Sequence, residues 1–72
     1  MNWTQMVENS LDRFTLNNTQ EPRFLLVDDA TYFELKVEYY GSVDNALSLE
    51  LDTFLGLKVF YNHLGYQFID IA

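Results

Sequence analysis

Residues 32–52 read YFELKVEYYGSVDNALSLELD, and the period assigned to them decides the fold. Phe33, Leu35, Val37 and Tyr39 alternate with Tyr32, Glu34, Lys36, Glu38 and Tyr40, the period of two expected of a half-buried strand. Leu47, Leu49 and Leu51 alternate in the same way with Ser48, Glu50 and Asp52. Between them GSVDN supplies the Gly, Asp and Asn of a hairpin loop. Pairing the two runs about Val43 sets Tyr39 opposite Leu47, Val37 opposite Leu49 and Leu35 opposite Leu51. On the other face Lys36 meets Glu50, Glu38 meets Ser48 and Glu34 meets Asp52. A slip of one residue would turn every apolar side chain outward, so this register is self-consistent.

Upstream, Trp3, Met6 or Val7, Leu11 and Phe14 recur near the helical period and predict an amphipathic helix over residues 3–16, with Asn2 or Thr4 as N-cap. NNTQEP reads as a loop closed by Pro22, and RFLLVDD as a first strand turning at Asp28-Asp29 to pair with the second. Downstream, residues 52–64 read as a helix with Asp52 as N-cap and Gly65 as its stop, followed by a strand in YQFIDI. The competing reading makes GLKVFY a fourth strand, with NHLG turning into the last one. The expectation is one α+β domain over residues 1–72. Its N-terminal helix packs on a three- to four-stranded antiparallel sheet, with a second helix before a C-terminal strand.

Composition bounds the function. Hydrophobic residues are 49% of the chain and aromatics 17%, too apolar for a disordered polypeptide. A chain this short buries only about 60% of the surface its unfolded form exposes. Small domains usually need disulfides, a metal or a second subunit. There is no cysteine, and the single histidine, His63, cannot build a metal site alone. Self-association is the remaining staple, so a homodimer is expected. The N-terminal segment lacks the basic and apolar regions of a signal peptide, no apolar run is long enough to span a bilayer, and the expected location is the cytoplasm. The sequons at Asn2 and Asn17 are then chance matches.

The net charge is −7, concentrated in residues 21–52, where Glu21, Asp28, Asp29, Glu34, Glu38, Asp44, Glu50 and Asp52 face only Arg23 and Lys36. Such a balance disfavours direct binding to nucleic acid or an anionic membrane, since neutralising phosphate needs clustered Lys and Arg. It suits a partner protein with a basic surface.

Motifs for catalysis are absent from the sequence. Asp28 and Asp29, adjacent on a strand, would point to opposite faces and read as a turn. His63 has no carboxylate near it in sequence before Asp70. Three isolated glycines make neither a P-loop nor a dinucleotide fingerprint. No enzyme and no cofactor are expected. VFYNHLGYQFIDI, residues 59–71, resembles the stretch near the end of GNAT-type acetyltransferases, where a helix ends in a Leu-Gly-aromatic step before a strand. That resemblance implies helix, glycine, strand. It carries no acetyl-transfer function, because the glycine-rich pyrophosphate loop is missing. The order helix, meander, helix, strand is also similar to that of small acidic dimeric type III secretion chaperones, by element order alone.

The candidate surface is therefore the outward face of the hairpin: Tyr32, Glu34, Glu38, Tyr40, Glu50 and Asp52. Tyrosine is enriched at interfaces, and the acids could stand in for the phosphates of a nucleic acid. Two other readings stay open: a solvated face with no partner, and tyrosines buried under the first helix. The expected function is a small acidic binding factor (inhibitor, adaptor or accessory protein, a style met in phage and mobile elements). The alternative is a structural homo-oligomer whose acidic face gives only solubility.

Overall fold

In the computed structural model, which describes residues 2–72, the element order is α1 (Trp3–Asn17), β1 (Phe24–Asp28), α2 (Asp29–Tyr40), α3 (Val43–Ser48), β2 (Thr53–Phe54), β3 (Leu57–Asn62) and β4 (Ile69–Ile71). The class is α+β, with the N-terminal helix packed on a four-stranded sheet and helix preceding the C-terminal strand. The sheet is mixed, in the order β2-β3-β1-β4. β1 runs parallel to β3 and antiparallel to β4, and β2 forms an antiparallel hairpin with β3.

Within that class two assignments reverse. The stretch expected as a hairpin is a pair of helices, α2 and α3. The stretch expected as a helix, residues 52–64, is the β2–β3 hairpin. Local chemistry explains both. The side chain of Asp28 accepts from the Thr31 N–H at 3.1 Å and caps α2, and Asp29 lies in its first turn. Gly41, at φ 72°, ends α2 in the left-handed region and donates its N–H to Val37 O at 2.8 Å. Ser42 starts α3 at once, its hydroxyl accepting from the Asn45 N–H at 3.1 Å. Thus GSVDN is a helix stop joined to a helix start.

The alternation in residues 32–40 is present in the sequence, but it sets Tyr32 and Tyr40 on the outward, polar side. Thr31, Tyr32, Leu35 and Lys36 are buried, a helical stripe that includes Tyr32 and the stem of Lys36. In the β2–β3 turn Leu55 and Gly56 have φ of 50° and 79°. Two successive positive φ values are the requirement of a tight hairpin turn. They leave no room for a helix, and the helix–glycine–strand order implied by the acetyltransferase resemblance does not form there.

α1 stands where its periodicity placed it. Asn2 caps it, the side chain accepting from the Gln5 N–H at 2.7 Å. The side-chain amides of Asn17 and Asn18 donate to the carbonyls of Arg13 and Phe14 at its other end. Leu25, Val27, Leu57, Val59 and Ile71 point from one sheet face into the core, where they meet Val7, Tyr32, Leu35, Leu51 and Phe54. Trp3, Leu11, Phe14 and Ile69 pack around this cluster. On the opposite face Phe24 and Phe60 lie 5.5 Å apart with the Lys58 ammonium 5.3 Å from the Phe60 ring. No element covers that face among the described residues.

Candidate functional site

The six residues expected on one strand face are dispersed by the helix. Tyr32, Tyr40 and Glu50 converge on the segment after α3. The Tyr32 hydroxyl donates to the Glu50 carboxylate at 2.9 Å and accepts from the Leu51 N–H at 2.9 Å. Tyr40 donates to Glu50 O at 2.6 Å. The Tyr32 ring stacks on Tyr61 at 3.9 Å between centroids, almost parallel at 5°. Lys36 Nζ lies 4.8 Å from the Tyr32 centroid and donates to Leu49 O at 3.1 Å. Burial, joined by the neighbouring Glu50 carboxylate, pushes the Tyr32 phenol up to about 12, so it stays a neutral donor. This cluster clasps residues 49–51 to α2, and it leaves the tyrosine hydroxyls engaged.

Glu38 lies at a different place, against the start of α1. Its carboxylate accepts from the N–H groups of Trp3 and Thr4 at 2.8 and 2.9 Å and from the Thr4 hydroxyl at 2.6 Å. Burial alone would raise its pKa, but those three donors outweigh it and hold the group below the ordinary glutamate value. Glu38 therefore ties α2 to α1 at the positive end of the α1 dipole. Glu34 and Asp52 are exposed. Glu34 lines a crevice described next, while the Asp52 carbonyl accepts from the Val59 N–H at 2.9 Å.

That crevice opens where β1 and the parallel β3 end, at the start of α2. It holds about 280 Å³ and is lined by Asp28, Asp29, Thr31, Glu34, His63 and Tyr66 among others. Ligands commonly bind outside the carboxyl ends of parallel strands, so the place is a natural candidate. His63 Nδ1 lies 2.9 Å from Asp29 Oδ2, a pairing of residues 34 apart that sequence proximity could not reveal. Asp28 accepts from the N–H groups of Thr31 and Phe68. Burial pushes its pKa upward, but the Thr31 hydroxyl and these N–H groups hold it below the ordinary aspartate value. Asp28 is consumed in structure. The Asp29–His63 pair has the make-up of an acid–base dyad, yet the imidazole is 81% exposed and Thr31, whose aliphatic hydroxyl is nearest in kind to a nucleophile, is 2% exposed. Among the described residues no three His, Asp or Glu side chains group so as to hold a metal ion.

The third feature lies along α1. A groove of about 660 Å³, lined by residues such as Met6, Ser10, Arg13, Gln67 and Ile69, adjoins a second of about 280 Å³ that reaches Phe14, Asp70 and Ile71. Together they run between α1 and β4, which with β2 forms the two edges of the sheet among the described residues.

These features define a small α+β domain. No family model, curated protein or solved structure matches the chain. Among the described residues no helix is long and apolar enough to cross a membrane.

Proposed function

We propose that the protein is a small non-catalytic binding factor whose acidic surface engages a partner protein with a basic surface. One observation carries this reading. Glu8, Asp12, Glu21, Glu34, Asp44, Asp52 and Asp70 are exposed, and among the described residues none has a Lys or Arg within ion-pair distance. Among the described residues the sole ion-pair contact is His63–Asp29, and Lys36 is spent inside the fold on Leu49 O. These seven carboxylates therefore stand unpaired at the surface of a chain whose net charge is −7. Such a field steers and selects a basic partner. The narrower form, a strand-borne row of acids imitating phosphates, loses its geometry, since Glu38 and Glu50 accept internal hydrogen bonds.

The test is affinity capture with the wild-type chain and with a variant carrying Asp12→Asn, Glu34→Gln, Asp52→Asn and Asp70→Asn. A basic protein should be retained at an ionic strength of about 0.05 M and released at about 0.5 M, where the screening length falls severalfold. The variant should not retain it. Equal retention by both chains, or indifference to salt, contradicts the reading.

A second reading is favoured by the Asp29–His63 contact in the crevice: a site for a small polar molecule. It requires that such a molecule shift the His63 ring resonances and that His63→Ala abolish its binding.

A further inference from the structure

The free edge of β4 has a definite hydrogen-bonding pattern. Phe24 and Ala72 exchange both backbone bonds, Ala72 N to Phe24 O at 3.0 Å and Phe24 N to Ala72 O at 2.8 Å. Farther along, Asp28 N donates to Phe68 O at 3.2 Å. Bonded and non-bonded pairs alternate in an antiparallel ladder, so Phe68, Asp70 and Ala72 turn their backbone groups toward β1. Ile69 and Ile71 turn theirs away, to the side where the sheet has no further strand among the described residues. Two N–H and two C=O groups thus form a template for one more strand, and the groove between α1 and β4 lies beside them.

A helix next to a free strand edge is the geometry in which an extended segment adds to a sheet, its main chain on the edge and its side chains in the groove. We propose that β4 receives an extended segment of the partner, with a Lys or Arg opposite Asp70. Charge selects this occupant. In the added pairing Ile69 and Ile71 hold the hydrogen-bonded positions, and Asp70 sits at a non-bonded one, where opposed side chains are closest. A second copy of this chain is disfavoured: the self-pairing that uses all the free groups of both copies sets Asp70 against Asp70. Like charges directly opposite are destabilising, and an edge charge is a common guard against self-pairing. Asp12 and Arg13 line the groove on the other face, where they can meet polar side chains of the segment that lie opposite Ile69 and Ile71.

The proposal rests on the basic-partner reading above but fails separately from it. The probe is a short blocked peptide, Thr-Val-Thr-Lys-Thr-Val-Thr, followed by NMR of the 15N-labelled full chain. Two controls replace its lysine by glutamate, or the threonines beside the lysine by prolines that cannot donate. The Lys peptide should shift the Ile69 and Ile71 amides and slow their hydrogen exchange. The Glu peptide should bind about three- to tenfold more weakly, the scale of exchanging an attractive cross-strand pair for a repulsive one. The Pro peptide should not slow exchange at all. Asp70→Lys, at an exposed position on the outer sheet face, should reverse the Lys–Glu preference.

Lys-peptide shifts that spare Ile69 and Ile71 and cluster at Glu34 or Asp52 would overturn the groove and leave the basic-partner reading standing. The same holds if no peptide binds while the salt-sensitive capture succeeds. A free-protein dimer by sedimentation with both isoleucine amides already protected would also overturn the proposal, in favour of a second copy.

Discussion

Glu34 and Glu38 sit one helical turn apart on α2, and replacing each by glutamine separates the helical account from a surface acidic row. Glu38 accepts three hydrogen bonds at the start of α1, from Trp3 N, Thr4 N and the Thr4 hydroxyl. Bonds to a charged acceptor contribute about 1.5–3 kcal/mol each when isolated, and loss of a helix N-cap costs about 0.5–2 kcal/mol. The site is half-buried, and glutamine retains one oxygen acceptor. Glu38→Gln should therefore destabilise by about 2 kcal/mol. For a domain of this size that is roughly an 8–16 °C fall in Tm. Glu34→Gln touches an exposed side chain and should change stability by about 0.5 kcal/mol or less.

Urea unfolding followed by circular dichroism measures both. The pH dependence supplies an internal control. Because the folded pKa of Glu38 is depressed, its contribution is complete above the ordinary value of 4.5 and is lost as pH falls through the lower folded value. The gap between wild type and Glu38→Gln should narrow in acid. Equal stability of the two variants at neutral pH, or a gap that ignores pH, would refute the capping role of Glu38.

Leu55→Asn should stabilise by about 1 kcal/mol, since Leu55 holds φ 50° at an exposed turn position where asparagine is less strained; thermal unfolding measures it. Tyr32→Phe keeps the stacked ring but leaves the buried Leu51 N–H without its acceptor, and should cost about 1–3 kcal/mol by urea unfolding. The same hydroxyl has a raised pKa, so its contribution holds below its ordinary value of 10.0 and fades as pH rises toward about 12. Ultraviolet titration should show one tyrosine ionising last, and that step should vanish in Tyr32→Phe. Leu35→Ala, at a position with no exposure, should cost about 2–5 kcal/mol, whereas His63→Ala, at the exposed pair, should cost about 0.5 kcal/mol or less.

α1 was legible because its apolar spacing fits only one period, and β1 because Pro22 and the acidic pair bound a short β-rich run. Residues 32–52 were not, because tyrosine is apolar along its ring and polar at its tip. Counting Tyr32 as outward yields a strand, while counting it as inward yields the Tyr32–Leu35–Lys36 stripe of α2. The decisive signals were caps: Asp28 three residues before the Thr31 N–H, then Gly41 followed by Ser42. The β2–β3 hairpin turns on a leucine at positive φ, which no propensity anticipates.

The candidate surface shared this fate. Once residues 29–40 coil, Tyr32, Glu38 and Tyr40 take internal partners, and only Glu34 and Asp52 keep exposed carboxylates free of them. The Asp29–His63 contact and the β4 edge come from topology, which brings the ends of β1 and β3 together and leaves β4 outermost. Neither is encoded by neighbours in sequence.

Everything assigned to these carboxylates depends on the helix over residues 29–40, and its most direct test is the Cα chemical shifts of the uniformly 13C-labelled chain. Downfield Cα shifts from Asp29 to Tyr40, interrupted at Gly41 and resumed from Val43 to Ser48, are the expected result. Upfield shifts with cross-strand contacts between Val37 and Leu49 would restore the hairpin and contradict it.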